Sequence, residues 1–303
     1  MKAASSQEIA LPGAVRKVLR CGELAFTAYE MGKGPLVILL HGFPDTPRTW
    51  RLQMPALKAA GYRVVAVTLR GYEPSSLPSN GSYHVSSLAQ DVVDWIDALG
   101  APSAHLVAHD WGASIAYAAA ALAPSRVVSL TTLAVPHPAA FAVAAKADAS
   151  QMKRLRYIML FQLPGFAEWY VRRKSFAYLE TLWRNWSPGW KYAEGDLQAT
   201  KDQFADPNVL GAALRYYRQA LDTRSENGKA SAALYAKPVD VPTMGLYGTL
   251  DGCIGPSVFE KSMPEHTFTK GRELVKIESA GHFLHQEKAE QINNLIIEFL
   301  KRH

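Results

Sequence analysis

Residues 105–114 read HLVAHDWGAS. A short apolar run meets histidine, aspartate, tryptophan and glycine, and a small-residue helical pattern follows. The order implies a strand, a sharp turn and a helix. Small–x–nucleophile–x–small is the pattern of a nucleophile elbow, with Ala108 and Gly112 as the small flanks and Asp110 at its centre. Serine is the usual residue there, so the carboxylate is the feature to explain.

Strand and helix signals alternate on both sides of this turn. LVILLHG (36–42) is a buried strand ended by a turn, and WRLQMPALKAAG (50–61) is helical with a glycine stop. YRVVAVTLRG (62–71) is β-branched and strand-like. In 85–100, Leu88, Val92, Trp95, Ile96 and Leu99 fall at helical spacing before Gly100. After AHLVAHD come a helix over 112–123 and a strand in RVVSLTTLAV (126–135). Such alternation predicts βαβ units, hence an α/β fold with a mostly parallel sheet and helices on both faces. The texture changes after VPHP (135–138). Residues 139–235 are helical, rich in Trp, Tyr and Arg, and show no clear strand. Strand-like VPTMGLYGTLDG (241–252) and ELVKIESAGH (273–282) then resume the pattern, and the amphipathic helix 289–302 closes it.

Composition sets the outer limits. A chain of 303 residues, 48% hydrophobic and 20% charged, has the balance of a soluble enzyme with a full core. The N-terminal MKAASSQEIALPGAVRKVLR lacks the apolar core of a secretory leader, and runs such as PLVILL are too short to span a bilayer. Two cysteines, Cys21 and Cys253, make neither a disulfide framework nor a metal-ligand motif, which points to a cytoplasmic protein. The net charge is +6, and residues 150–235 carry 13 Lys/Arg against 8 Asp/Glu. With no basic run interleaved with aromatics, this surplus reads as a solvated face, not as a nucleic-acid or membrane site. No ligand cluster or phosphate loop appears in the linear sequence, so no metal or organic cofactor is expected. Oligomeric state is not legible in it.

In an open parallel sheet, ligands bind beyond the carboxyl ends of the strands. Asp110, the HGFP turn (41–44), Asp251 and His282 all fall there. Alone, each has an ordinary role: a helix cap for Asp110, a turn residue for Asp251, a loop histidine for His282. Together they run nucleophile, acid, histidine, the chain order of the hydrolase triads. His285 is the rival to His282, whose AGH turn directly follows a strand. His41 and His109 are expected to pack or hydrogen-bond, and His137 is assigned no catalytic part.

Chemistry explains the aspartate. Serine attack on an epoxide carbon would leave an ether that water does not readily cleave. Carboxylate attack on the same sp³ carbon leaves an ester, which water opens at the acyl carbon. A carboxylate is also ionised at neutral pH without a base. Asp110 therefore points to ring opening or halide displacement, with His282 activating the water of a second step and Asp251 holding its tautomer.

The chain resembles the α/β-hydrolase superfamily and, within it, the epoxide hydrolases. The resemblance rests on HGFPD (41–45), RGY (70–72), HDWGAS (109–114), LFQLPGFAE (160–168), YYR (216–218), GTLDG (248–252) and AGH (280–282). It implies a hydrolase core over 1–136 and 236–303 and a helical cap over 137–235. It also implies a cis Phe43–Pro44 bond, an oxyanion hole from the amides of Phe43 and Trp111, and two tyrosines that protonate the epoxide oxygen. Those are Tyr157, before FQLPG, and Tyr217, with Tyr216 as its competitor. Phe43, Pro44, Trp111 and Phe161 would line the substrate site. The partners implied are a small-molecule epoxide and water. The main alternative is a haloalkane or haloacid dehalogenase with the same triad. Against it, Phe43 stands where a halide-binding asparagine is common, and Trp111 where fluoroacetate dehalogenases carry arginine. A binding protein without turnover would normally lose a triad member. One departure from the family pattern is visible, Glu73 in place of the usual glycine after RGY.

Overall fold

The computed structural model describes residues 11–303, so part of the segment read for a leader, residues 1–10, lies outside the described residues. Eight strands form one sheet: β1 (Val15–Cys21), β2 (Leu24–Met31), β3 (Leu36–Leu40), β4 (Arg63–Val67), β5 (Ala104–His109), β6 (Val127–Leu133), β7 (Thr243–Gly248) and β8 (Arg272–Ile277). Their spatial order is β1-β2-β4-β3-β5-β6-β7-β8. From β4 to β8 every pairing is parallel. β1 pairs antiparallel with β2, and β2 with β4.

The N-terminal hairpin is absent from the sequence reading. β1 is an edge strand, VRKVLRC, with most of its side chains in solvent, so it carries no apolar run. The available signal was its turn. Cys21 pairs with Leu24, leaving a two-residue loop in which Gly22 takes a positive φ, as tight hairpins require. Glu73 is part of the same edge. Its carboxylate accepts the Thr27 amide of β2 at 2.5 Å. It thereby caps a backbone donor at the sheet margin and stays clear of the proposed chemistry.

Alternation along β3 divides the core. Leu36, Ile38 and Leu40 enter the apolar cluster that includes α2 (Val85–Ala98) and α3 (Trp111–Leu122). Val37 and Leu39 enter the opposite cluster, packed by helices flanking the other face. All five are fully buried, as expected of a strand covered on both faces. The helix expected over 50–61 begins as a 3₁₀ turn at Pro47–Leu52 and becomes α1 only over Gln53–Ala59.

Between β6 and β7 lie seven helices: α4 (Pro138–Lys146), α5 (Ala149–Arg154), α6 (Arg156–Phe161), α7 (Phe166–Trp186), α8 (Glu194–Gln203), α9 (Pro207–Gln219) and α10 (Glu226–Ala236). α7 is broken at Arg173–Phe176, where three residues in a row have positive φ. α11 (Pro256–Lys261), α12 (Leu284–Glu287) and the terminal α13 (Ala289–Lys301) complete the chain. Among the described residues no helix is long and apolar enough to cross a membrane.

The tightest constraint is the turn between β5 and α3. A Cβ on Gly112 would lie 2.4 Å from the Leu40 carbonyl oxygen and 2.5 Å from that of His41, both backbone atoms with little room to retreat. Gly112→Ala is therefore expected to destabilise the protein by about 1–3 kcal/mol, the usual penalty of overpacking. Urea unfolding checks this, and an unchanged midpoint would mean that α3 does not abut the end of β3 as closely as described.

Candidate active site

Asp110 sits between β5 and α3 with φ 51° and ψ −122°, a conformation that non-glycine residues seldom adopt. The turn lifts its carboxylate off the sheet into the volume left by two glycines. A Cβ on Gly42 would fall 2.3 Å from Asp110 Oδ1, and Gly112 permits the close crossing below. Phe43, whose bond to Pro44 is cis, donates its amide to Asp110 Oδ1 at 2.7 Å. Trp111 is the first residue of α3, so its amide is among those the helix leaves without an internal acceptor.

His282 follows β8 and is fully buried. Its Nδ1 lies 2.9 Å from Asp251 Oδ2 and its Nε2 3.4 Å from Asp110 Oδ2. The other oxygen of Asp251 accepts the amides of Cys253 at 2.6 Å and Ile254 at 2.9 Å. Asp251 is thus fixed by backbone donors and presents one oxygen to the imidazole. Burial on its own would discharge His282. The charge of Asp251, the hydrogen bonds to Asp110 and Asp251, and the charge of Asp110 outweigh it and raise the histidine's pKa. Burial also works against the Asp110 carboxylate, but the bond and charge of His282, then His109 and the Phe43 amide, carry its pKa below the ordinary value. The resting pair is therefore a carboxylate beside an imidazolium. His285, the rival, lies off this line with Nε2 on Thr49 Oγ1 at 2.6 Å.

The inserted helices bring two tyrosines to the same place. Tyr157 on α6 and Tyr217 on α9 meet with ring centroids 5.7 Å apart, and Tyr217 lies 5.5 Å from Phe43 and 5.1 Å from Trp111. Neighbouring motif residues fasten the two helices. Gln162 donates to the Tyr217 carbonyl at 3.1 Å, Arg218 to the Phe161 carbonyl at 2.7 Å, and Arg218 pairs with Glu168 at 2.8 Å. Phe161 is buried against both Phe43 and Tyr217.

The competing tyrosines are distinguished by their hydroxyls. Tyr216 donates to the Arg70 carbonyl at 2.6 Å and is engaged. The Tyr217 hydroxyl is buried beside the Trp111 indole, which only donates, so its own hydrogen is left for a ligand or water. Tyr157 reaches the Cys253 sulfur at 3.7 Å, a weak contact. Burial foremost raises both pKa values well above 10, so both hydroxyls stay protonated. The Trp183 indole donates to the Pro44 carbonyl at 2.9 Å and steadies the cis turn.

Several supports carried no sequence signal. The Trp186 carbonyl, at the end of α7, accepts the amides of both Gly252 and His282 at 3.0 Å. Ser187 donates to Glu287 at 2.8 Å and accepts the Phe283 amide at 2.9 Å, while Glu287 also takes the Gly281 amide at 2.9 Å. On α5, Gln151 bonds the Cys253 carbonyl and the Gly255 amide, and Arg154 bonds the Asp251 carbonyl. The helical insert therefore braces the loops of both Asp251 and His282.

The coupling of Asp110 and His282 has a measurable consequence. Asp110→Asn removes a charge and the acceptor that favour the imidazolium, leaving Asp251 alone against burial. The His282 pKa should then fall, as followed by NMR titration of its imidazole carbons. An unchanged value would show that Asp110 does not hold the proton there.

Known proteins place the chain in a family. The family model described as alpha/beta hydrolase fold matches residues 35–289. Mouse Epoxide hydrolase 4 is 33% identical over 283 residues, covering 90% of this chain and 75% of the relative. Epoxide hydrolase A of Mycobacterium tuberculosis is 31% identical over 299 residues, covering 88% and 90%. The crystal structure of an epoxide hydrolase from Vigna radiata superimposes with a TM-score of 0.81 at 30% identity, covering 97% of this chain and all of that one.

Proposed function

The chain belongs to the α/β hydrolase fold family, among its epoxide hydrolases, and we propose that it hydrolyses an epoxide to a vicinal diol through a covalent ester on Asp110. The observation that supports the mechanism is the pair of buried tyrosine hydroxyls, one with no acceptor for its hydrogen and one weakly held, opposite an ionised carboxylate. They supply the proton donors that an opening epoxide requires.

In the first step Asp110 Oδ2 attacks a ring carbon and the C–O bond breaks. The alkoxide oxygen receives a proton through Tyr157 and Tyr217, and the carboxylate charge disappears into the ester. With that charge gone, His282 no longer holds its proton as strongly. One proton leaves the imidazolium as one is gained by the alkoxide, so the step balances. Neutral His282 is then the base for the second step. It draws a proton from water, whose oxygen attacks Cγ of the ester. Negative charge grows on Oδ1, where the Phe43 amide already points, and the Trp111 amide completes the hole. Each such donor contributes about 3 kcal/mol in comparable sites. Collapse breaks the bond from Cγ to the product oxygen, that alkoxide takes the proton of the newly formed carboxylic acid, and diol, carboxylate and imidazolium remain.

In this reading residues 137–235 act as a cap over a core formed by 1–136 and 236–303, with Phe43, Pro44, Trp111 and Phe161 lining the substrate site. Free Cys21 and Cys253 fit a reducing cytoplasm.

Removing the base should trap the ester. His282→Gln exposed to styrene oxide is expected to gain the mass of the whole epoxide, and to gain nothing when Asp110 is also alanine. A 1-haloalkane adding its alkyl group without the halogen would assign the chain to dehalogenation instead. No adduct from either reagent with inert wild-type protein would favour a binding protein. Replacing both Tyr157 and Tyr217 by phenylalanine should slow epoxide turnover roughly 10²–10⁴-fold, the range for positioned proton donors. Steady-state kinetics checks this, and a rate within twofold of wild type would remove the tyrosines from the mechanism.

A further inference from the structure

Behind the triad, away from the tyrosines, lies a second polar cluster that the mechanism does not use. Asp45 follows the HGFP turn, His109 ends β5 and His285 lies on α12. All three are buried, and one potential ligand atom from each lies within 4.8 Å of the other two. The His109 and His285 rings sit 4.6 Å apart.

Proton accounting makes this cluster unusual. His109 Nε2 is 3.0 Å from the His282 carbonyl oxygen, which only accepts, so Nε2 carries the hydrogen and Nδ1 a lone pair. Thr49 Oγ1 is contacted by Gln286 Nε2 at 3.0 Å and His285 Nε2 at 2.6 Å, and its hydroxyl hydrogen is used on Asp45. His285 therefore also donates from Nε2 and keeps a lone pair on Nδ1. Both Nδ1 atoms are buried without a hydrogen-bond partner. Two imidazole lone pairs and the Asp45 carboxyl thus face one another.

We propose that Asp45, His109 and His285 form a binding site for a borderline-soft divalent transition metal ion, of the Zn²⁺ or Co²⁺ type, with water as a fourth ligand. Two neutral nitrogens and one carboxylate are a usual donor set for such an ion, and the backbone carbonyl on His109 and the hydroxyl on His285 are the outer contacts that orient ligating imidazoles. Ligands at about 2.1 Å from zinc stand ~3.4 Å apart, so binding draws the three atoms together. A narrow crevice lined by Asp45, Thr49, Arg51, Asp196 and Gln286 reaches Asp45 from the surface. Arg48 and Arg51, the two cations that line it, are both held by Asp196, at 2.9 and 2.6 Å, and Arg51 also by Gln286. The ligands stand 64 and 176 residues apart, which is why no spacing motif announces them.

The full-length protein, stripped with chelator, should retain about one Co²⁺ or Zn²⁺ per chain after desalting, read by elemental mass spectrometry. The cobalt form should show visible ligand-field bands, and the metal should raise the melting temperature. His285→Gln and Asp45→Asn should each lose the bound ion, the bands and the melting shift, while His266→Gln keeps all three. Asp45→Asn decides the matter if His285→Gln fails to fold. Wild type that retains no metal, or variants that retain it equally, would overturn the proposal and leave the cluster as a buried water site.

Discussion

The site depends on one strained residue. Asp110 holds a positive φ, a state costing of order 1–3 kcal/mol for a residue with a side chain, and the surroundings must overdetermine it. Gly42 and Gly112 leave the room, and the Phe43 amide and His282 hold the carboxylate once it is there. The geometry that strains the backbone also lifts a charged group away from its own helix and exposes it to attack. A relaxed Asp110 could cap α3, and its charge would then face the helix amides instead of a substrate.

Burying that charge creates a second constraint. A carboxylate, an imidazole and another carboxylate lie in line under the inserted helices, and isolated charges do not survive such burial. Here each has partners. Asp251 is satisfied by two backbone amides, His282 by both acids, and Asp110 by an amide and the imidazole. The arrangement is stable only while Asp110 is charged. In the proposed mechanism alkylation would remove one member of the balance, so the pair that holds a proton at rest would release it in the intermediate, and His282 would be charge partner and base in turn.

The sequence made the core legible because its signals were local. The strands β3, β5, β7 and β8 and the turns that follow them are each written within about ten residues, and Asp110, Asp251 and His282 stand just past the last three. Other parts were not legible, for physical reasons. β1 lies at an edge and keeps polar side chains outward, so it lacks an apolar run. The break in α7 lies among Arg173, Lys174, Ser175 and Phe176, none of them a residue type that announces left-handed backbone. The choice between Tyr216 and Tyr217 could not be read from adjacent, identical residues. It turns on which hydroxyl finds a carbonyl, Arg70 in one case and nothing in the other.

The helical insert is bonded to the loops that follow β7 and β8. Trp186 joins the acid loop to the histidine loop through a single carbonyl, and Gln151 and Arg154 clasp the acid loop from above. Gly252 and Gly281 are required there because a Cβ on either would strike the backbone at Asn185–Ser187. These contacts run between backbone groups or from polar side chains to backbone, so they tolerate little displacement. Wide opening of the whole insert would loosen the seat of Asp251 and His282 together. Any movement that admits a substrate must therefore spare α5 and the end of α7, because these are the parts of the insert that hold the loops of Asp251 and His282.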